Sequence, residues 1–208
     1  MSGLVIYIFD IFGTVIFAVT GALCGVRHKL DLLGVIVFGC TVGVGGGMLR
    51  DVLIGAAPVA ALTNETYLIA CILAGLTVFC VARWMSDLTQ MIAFCDAIGL
   101  GVFTAIGSAK GCLFELHPIG VVLTGTLTAV GGGIIRDIMA RSVPVVLTSD
   151  FYATAALLGG VLYYVLYAFS SLPQFVIFMI VFAFVTGVRL AAMHFKLRLP
   201  VAVSQEEE

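Results

Sequence analysis

The sequence predicts an all-α integral membrane protein with seven transmembrane helices, arranged as two inverted three-helix repeats plus a seventh helix. Three observations predict it: extreme apolarity, seven apolar stretches of membrane-spanning length, and a motif that recurs 86 residues later. Hydrophobic residues make up 62% of the 208 residues and charged residues 11%, whereas soluble domains are about one-quarter charged. So few charges cannot cover a globular surface with polar groups, so the chain requires lipid as its solvent.

Seven apolar stretches of about 20 residues, the length that crosses a bilayer, follow one another along the chain. They are 4–26, 32–55, 66–84, 90–113, 118–140, 150–170 and 174–194. Polar and turn-forming residues separate them, as at 27–31 and 86–90. The first stretch contains Asp10 and has no basic segment before it. We therefore interpret it as a retained span and not as a cleaved signal peptide.

Basic residues predict the orientation of these spans. With the N-terminus outside, one loop on the outer side carries Lys110, and the inner side carries seven basic residues: Arg27, Lys29, Arg83, Arg141, Arg189, Lys196 and Arg198. Inner loops of membrane proteins carry an excess of Lys and Arg. We therefore expect the N-terminus outside and the C-terminus in the cytoplasm.

An internal repeat organises the chain. The segment GVGGGMLRDV at 43–52 recurs as AVGGGIIRDI at 129–138, and the same 86-residue shift places Asp10 on Asp96 and Pro58 on Pro144. Repeats are the strongest sequence signal for a fold. We predict a first three-helix repeat at 1–85, a second at 86–171, a seventh helix at 172–198 and an acidic tail at 199–208. Because three spans per unit is an odd number, the second repeat must be inverted in the membrane, as in many transporters.

The two glycine triplets, Gly45, Gly46, Gly47 and Gly131, Gly132, Gly133, are the most unusual feature of the second and fifth spans. Each glycine costs a helix about 1 kcal/mol relative to alanine. We therefore expect both spans to be kinked or briefly unwound at the triplets. Irregular backbone survives at membrane depth only inside protein or beside a water-filled cavity, where freed carbonyls can coordinate cations.

Charged residues follow both triplets. Arg50 and Asp51, repeated as Arg136 and Asp137, lie within spans, where an arginine costs roughly 2.5–3.5 kcal/mol and indicates a functional site. Neighbouring residues are about 100° apart around a helix, so we expect each aspartate to pair with groups on other spans. Asp10 and Asp96 are cation-attracting or protonatable carboxylates near a pathway mouth, partners for these arginines, or interfacial side chains. We interpret most of the other glycines as residues that let helices pack closely. Buried ion pairs that lock the repeats together are an alternative role for the Arg–Asp pairs.

Several other residue types bear on function. The threonines that could line a polar path are Thr41, Thr124, Thr126 and Thr128, although threonine also bonds to its own helix. The six cysteines form no CxxC pair and are interpreted as buried hydrophobic residues. The histidines have no second ligand nearby, so we expect no metal site and no cofactor. No hydrolase, metalloprotease or nucleotide-binding motif occurs, and we expect neither an enzyme nor a nucleic-acid partner.

Two GGGxxRD motifs in seven spans resemble the prokaryotic branch of the trimeric intracellular cation (TRIC) channel family, which is also labelled a glycine-transporter domain family. The resemblance covers residues 1–198. It implies a homotrimer in membrane lipid, with a potassium-permeable pathway through each protomer between the first, second, fourth and fifth spans. It also implies that the glycine triplets, Arg50, Asp51, Arg136 and Asp137 border that pathway, and that the membrane is a prokaryotic inner membrane. A soluble protein partner is not implied.

The residues alone leave two other functions open. Inverted repeats with interrupted helices are equally typical of secondary carriers, here for a small solute such as glycine, with Asp10 or Asp96 coupling protons. A non-transporting structural or lipid-binding trimer is the second alternative. Because an arginine repels a permeant cation by about 4 kcal/mol at 4 Å with an effective dielectric of 20, the channel function requires that Arg50 and Arg136 be neutralised by aspartates or act as gates or voltage-responsive elements.

Overall fold

The computed structural model describes residues 3–148, 151–195 and 197, and its ordered elements are helices joined by short loops. The helices are α1 (Gly3–Arg27), α2 (Leu32–Leu53), α3 (Ala60–Thr63), α4 (Thr66–Val81), α5 (Leu88–Leu113), α6 (Pro118–Met139), α7 (Val145–Thr148), α8 (Ala153–Phe169) and α9 (Gln174–Phe195). A 3₁₀ turn, Ala82–Trp84, extends α4. The predicted acidic tail at 199–208, residue 150, Lys196 and Arg198 lie outside the described residues.

The predicted spans are confirmed as helices. Among the described residues, six helices are long and apolar enough to cross a membrane: α1, α2, α4 with its 3₁₀ turn, α5, α6 and α9. The predicted sixth span is α8, an apolar helix of 17 residues. At 1.5 Å per residue it reaches the lower limit for crossing a bilayer. The protein is therefore an all-helical integral membrane protein.

Short polar residues fix where the long helices begin. The Asp31 side chain accepts a hydrogen bond from the Gly34 amide at 2.7 Å and caps α2. Asp87 caps α5 in the same way through the Gln90 amide at 3.0 Å. Pro118, which has no N–H to satisfy, occupies the first turn of α6. These caps satisfy backbone donors that lipid cannot satisfy.

The two motif helices cross at their glycines. A Cβ atom on Gly46 would overlap the Thr128 carbonyl oxygen, and one on Gly132 would lie 2.7 Å from the Val42 carbonyl oxygen. As residue numbers increase along α2, from Val42 to Gly46, the facing residue numbers on α6 decrease, from Gly132 to Thr128. The two helices therefore run antiparallel. Arg50 and Arg136, each near the C-terminal end of its helix, therefore lie at opposite ends of the crossing. At 1.5 Å per residue they are roughly 18 Å apart along the helix axes.

The predicted unwinding at the triplets is wrong. Helix α2 is continuous through Gly45–Gly47, and α6 is continuous through Gly131–Gly133. In a membrane the loss of helical hydrogen bonds costs several kcal/mol per unsatisfied group, more than the glycines' low helix propensity. The missing side chains at Gly46 and Gly132 serve the close helix crossing instead. A bend of either helix axis stays a prediction.

Helices α1 and α5 pack beside this crossing with the same reciprocal pattern. A Cβ on Gly13 would lie 2.9 Å from the Phe103 ring, and one on Gly99 would lie 2.5 Å from the Phe17 ring. The two fully buried rings contact each other, with centroids 5.1 Å apart. Helix α4 packs against α1 and α2, whereas α8 and α9 pack against the α5–α6 side. The four central helices thus enclose the charged residues.

Candidate ion pathway

Arg50 is almost completely buried and is held by two carboxylates. Its Nε donates to Asp51 Oδ1 at 2.8 Å, and its Nη1 and Nη2 donate to the two oxygens of Asp10, each at 3.3 Å. Arg50 is 1% exposed, Asp51 2% and Asp10 3%, so bulk water does not solvate these three charged groups. The paired geometry supplies the compensation that a buried guanidinium requires.

Three further donors complete this group. The Tyr67 hydroxyl donates to Asp10 Oδ2 at 2.9 Å. Lys110 Nζ donates to Asp51 Oδ1 at 3.0 Å, and the Ala60 amide, at the start of α3, donates to Asp51 Oδ2 at 3.0 Å. We call Asp10, Arg50, Asp51, Tyr67 and Lys110 the Arg50 cluster. Its two carboxylates and two cationic groups have no formal net charge.

The same arrangement recurs around Arg136. Its Nη1 donates to Asp96 Oδ1 at 2.5 Å and its Nε donates to Asp137 Oδ1 at 2.9 Å. Asp137 Oδ2 accepts a hydrogen bond of 2.8 Å from the Val145 amide at the start of α7. We call Asp96, Arg136, Asp137, Tyr152 and Arg189 the Arg136 cluster, since Tyr152 is buried beside it and the Arg189 guanidinium lies 5.0 Å from the Tyr152 ring centroid.

The Arg–Asp contacts confirm one prediction and correct another. Both arginines are neutralised by aspartates, and Asp10 and Asp96 are their partners within the same repeat. The prediction that Asp51 and Asp137 pair with groups on other spans is confirmed for Asp51, which bonds Lys110 of α5, but both aspartates also accept a hydrogen bond from the Nε of their neighbouring arginine. The long arginine side chain spans the 100° between adjacent positions, and the second carboxylate oxygen remains available to other segments.

The two clusters differ in the space beside them. A cavity of about 310 Å³ borders the Arg136 cluster, and Cys24, Arg27 and His28 of α1 also line it. We call it the Arg136 cavity. The space beside the Arg50 cluster measures only about 10 Å³, and Ala60 and Ala61 of α3 are among the residues that line it. The Arg136 cluster therefore borders a cavity that can hold several water molecules, whereas the space beside the Arg50 cluster is too small for more than about one.

Fully buried residues lie between the clusters. Phe17, Val42, Phe103 and Thr128 are each 0% exposed. Phe17 also lies against the crossing, since its Cδ2 is 3.0 Å from the position of a Cβ on Gly132. The α2–α6 crossing and the two phenylalanines thus form the barrier between the Arg50 and Arg136 ends of the four-helix group.

The threonines predicted to line a polar path bond mainly to their own helix. The hydroxyls of Thr124, Thr126 and Thr128 donate to the carbonyls four residues earlier, at 2.5–2.8 Å. Thr41 on α2 is half-buried. Of the four, Thr128 lies directly at the α2–α6 crossing, because its carbonyl oxygen faces Gly46.

Sequence reasoning missed four members of the clusters. Lys110 was assigned to an outer loop, yet it lies in α5 and bonds Asp51. One sequence signal could have identified it: the 86-residue shift aligns Lys110 with the uncharged Cys24, so the lysine is a charge that the first repeat lacks. Arg189 was assigned to an inner connection, although it lies inside the predicted seventh span, where a charge indicates a functional site. Tyr67 and Tyr152 gave no signal, since tyrosines are common at the ends of membrane spans.

Replacement of Tyr67 by phenylalanine tests the buried network. Tyr67→Phe removes the donor to Asp10 and leaves a buried carboxylate with one bond fewer, so we expect a loss of about 1.5–3 kcal/mol in unfolding free energy. Thermal unfolding in detergent measures it. Tyr167→Phe is the matched control, because Tyr167 is 42% exposed. Equal unfolding temperatures for the two variants would contradict a stabilising Tyr67–Asp10 bond.

Comparisons with known proteins agree with this architecture. A family model described as "Glycine transporter" matches residues 7–83 and again 93–168. The UPF0126 inner membrane protein YadS of Escherichia coli K12 is 35% identical over 204 residues, which cover 98% of this chain and 99% of the relative.

Two solved structures are similar over nearly the whole chain. The TRIC trimeric intracellular cation channel orthologue from Rhodobacter sphaeroides matches with a TM-score of 0.89 and 33% identity, over 93% of this chain and 99% of that one. A structure described as a basis for conductance through TRIC cation channels matches with a TM-score of 0.85 and 37% identity, over 95% and 97% of the two chains. The chain therefore belongs to the UPF0126 membrane protein family that the glycine-transporter model describes, and it has the fold of the prokaryotic TRIC channels.

Proposed function

We propose that the protein is a passive, potassium-permeable channel for monovalent cations that forms a homotrimer in a prokaryotic inner membrane. Each protomer has its own pathway, framed by α1, α2, α5 and α6. The observation that carries the proposal is the pair of ion-paired clusters at opposite ends of the α2–α6 crossing. The names of the similar proteins, trimeric intracellular cation channel and inner membrane protein, support a cation as the permeant ion, the trimer and the location.

The two halves are best described as inverted repeats with the boundaries 1–85 and 86–171. Equivalent bonds recur at the 86-residue shift, as in Asp10–Arg50 and Asp96–Arg136. The contacts across the crossing are reciprocal, with Gly46 facing Thr128 and Gly132 facing Val42. Such reciprocity is what a two-fold axis in the membrane plane produces. Asp10 and Arg50 then lie on the outer side, and Asp96 and Arg136 lie on the cytoplasmic side.

The aspartates make a cation pathway compatible with intramembrane arginines. Arg50 and Arg136 each have two carboxylates within hydrogen-bonding distance, which offset most of the repulsion of about 4 kcal/mol that a bare arginine exerts at 4 Å and a dielectric of 20. The polar pathway residues would then be these two clusters together with Thr41 and Thr128.

The barrier at the crossing corresponds to a closed pathway. Opening requires α2 and α6 to separate or bend where Gly45–Gly47 face Gly131–Gly133, since Phe17 and Phe103 are fully buried there and the two helices are in backbone contact at these glycines. Potassium coordination by the glycine carbonyls belongs to that opened state, because carbonyls within a continuous helix accept helical hydrogen bonds. The low helix propensity of three consecutive glycines favours such a bend.

Recordings from the purified protein in planar bilayers test the proposal. A channel gives stepwise single-channel currents that reverse at the potassium equilibrium potential under a potassium gradient. Vesicles that contain the same preparation are assayed in parallel for glycine uptake. Saturable uptake driven by a pH gradient, without current steps, would contradict a channel and support a carrier. The absence of both activities in a folded trimer would support a purely structural or lipid-binding role.

A carrier of a small zwitterion is the second candidate, and one observation favours it. The Arg136 cavity combines carboxylates and guanidinium groups within about 310 Å³, so it can complement an ammonium and a carboxylate of the same small solute. The description of the matching family model points to glycine. The vesicle assay distinguishes this candidate from the channel.

A further inference from the structure

Arg189 is a charged residue in the membrane that stands outside both repeats. It lies in α9, the seventh membrane helix, and is 7% exposed. It nevertheless lines the Arg136 cavity together with Asp96, Arg136 and Asp137. A peripheral helix that only returned the chain across the bilayer would have no need for a buried cation, which is costly at membrane depth. The position indicates that α9 contributes to the site.

Tyr152 connects this arginine to the glycine triplet of α6. The Arg189 guanidinium lies 5.0 Å from the centroid of the Tyr152 ring, and that ring is 1% exposed. The Tyr152 hydroxyl lies 2.8 Å from the position that a Cβ on Gly133 would occupy. A cation held on the face of a buried aromatic ring is fixed in position. Arg189 is therefore held beside the third glycine of the triplet, at the wall of the cavity.

We infer that Arg189 sets the cation current through the Arg136 end of the pathway, acting as a fixed positive charge at that mouth. The inference deepens the proposed channel function and rests on it. Charges that line a cleft alter the local concentration of mobile ions about 10-fold or more. A guanidinium in the wall of the cavity lowers the cation concentration there and reduces the current that enters from this end.

The chain supplies an opposing position and a matched control. Lys110 is the corresponding extra cation in the Arg50 cluster, at the other end of the pathway. Arg83 is an exposed arginine stacked on an aromatic ring, with its guanidinium 4.1 Å from the Trp84 centroid. It does not line the Arg136 cavity. Arg83→Gln thus removes the same charge and the same type of contact from a place outside the pathway.

The experiment compares current ratios in excised patches, in which the membrane of origin gives every copy the same orientation. With equal potassium on both sides, we expect Arg189→Gln to increase the current that enters from the Arg136 end by about two- to tenfold relative to the opposite current. Lys110→Gln should shift the ratio in the opposite direction, and Arg83→Gln should leave it unchanged. Arg189→Lys, which keeps the charge, should restore the wild-type ratio.

The outcomes distinguish failure of the Arg189 inference from failure of the proposed channel function. Wild-type current with a ratio that Arg189→Gln leaves unchanged would overturn the inference and leave the channel standing. The inference would also be overturned if Arg189→Lys behaved like Arg189→Gln, since the contact and not the charge would then matter. Absence of any wild-type current would overturn the channel function itself. If size-exclusion chromatography shows that Arg189→Gln does not fold, Arg189→Met is used instead, because it removes the charge with a side chain suited to apolar surroundings. The same current ratios then decide the result.

Discussion

Replacement of Gly46 by alanine is expected to destabilise the protein markedly, whereas Gly47→Ala is expected to leave it equally stable or more stable. The added methyl group on Gly46 would overlap the Thr128 carbonyl oxygen and lie 3.4 Å from the Gly132 amide nitrogen. Both neighbours are backbone atoms, so α2 and α6 must separate, at about 1–3 kcal/mol or more. At Gly47 the nearest atom is Arg50 Nη2 at 3.7 Å, and alanine there gains up to about 1 kcal/mol of helix propensity.

Thermal unfolding of the detergent-solubilised protein, followed by size-exclusion chromatography, measures this contrast. Gly45→Ala provides an intermediate case, because its methyl group would meet the movable end of the Ile135 side chain at 2.6 Å. We therefore expect the unfolding temperature to be highest for Gly47→Ala, intermediate for Gly45→Ala and lowest for Gly46→Ala. Equal values for Gly46→Ala and Gly47→Ala would show that the triplet does not mediate a close crossing.

Removal of the two buried arginines should have unequal effects. Arg50→Ala leaves Asp10 and Asp51 buried beside a space of only about 10 Å³, so we expect a loss of about 3–5 kcal/mol, the usual cost of breaking a buried ion pair. In that variant Lys110 still offsets part of the charge, but only that of Asp51. Arg136→Ala exposes its carboxylates to a cavity of about 310 Å³, which can admit water. We therefore expect Arg136→Ala to lower the unfolding free energy by less than Arg50→Ala does. We also expect the conductance or open probability of the Arg136→Ala channel to change.

Chemical unfolding gives the stability difference, and bilayer recordings give the change in current. Arg83→Ala is the control for loss of an arginine, since that side chain is exposed. The double variant Asp10→Asn with Arg50→Gln removes both charges and should recover part of the Arg50→Ala loss. If Arg136→Ala folded normally and its current matched the wild type at every voltage, Arg136 would have a structural role only.

The sequence was sufficient for most of the fold. Span limits followed from runs of apolar residues, and the helix starts at Asp31 and Asp87 coincide with side-chain caps. The 86-residue shift also identified Asp10 and Asp96 as possible partners of the arginines, which the ion pairs confirm. These features are local or periodic, and such patterns survive in a single sequence.

The triplets show what local reasoning leaves out. Helix propensity favours unwinding at three glycines, but the cost of unsatisfied backbone groups in lipid is larger, and the glycines are used for a helix crossing. Propensity describes one helix, whereas the overlap at Gly46 depends on Thr128, 82 residues away in the sequence. Lys110 and Arg189 were misplaced for the same reason, because their partners lie on other helices.

Access to the α2–α6 crossing tests the central claim most directly, namely that cations pass between the two clusters where these helices cross. The measurement is the current of a Thr128→Cys variant, without its native cysteines, during exposure to a charged thiol reagent. Thr128 is fully buried in the closed arrangement, so we predict that modification reduces the current irreversibly and only while the channel opens. The same background with Cys80, which is exposed on α4, should be unaffected. A conducting Thr128→Cys channel whose current the reagent never changes would contradict the account.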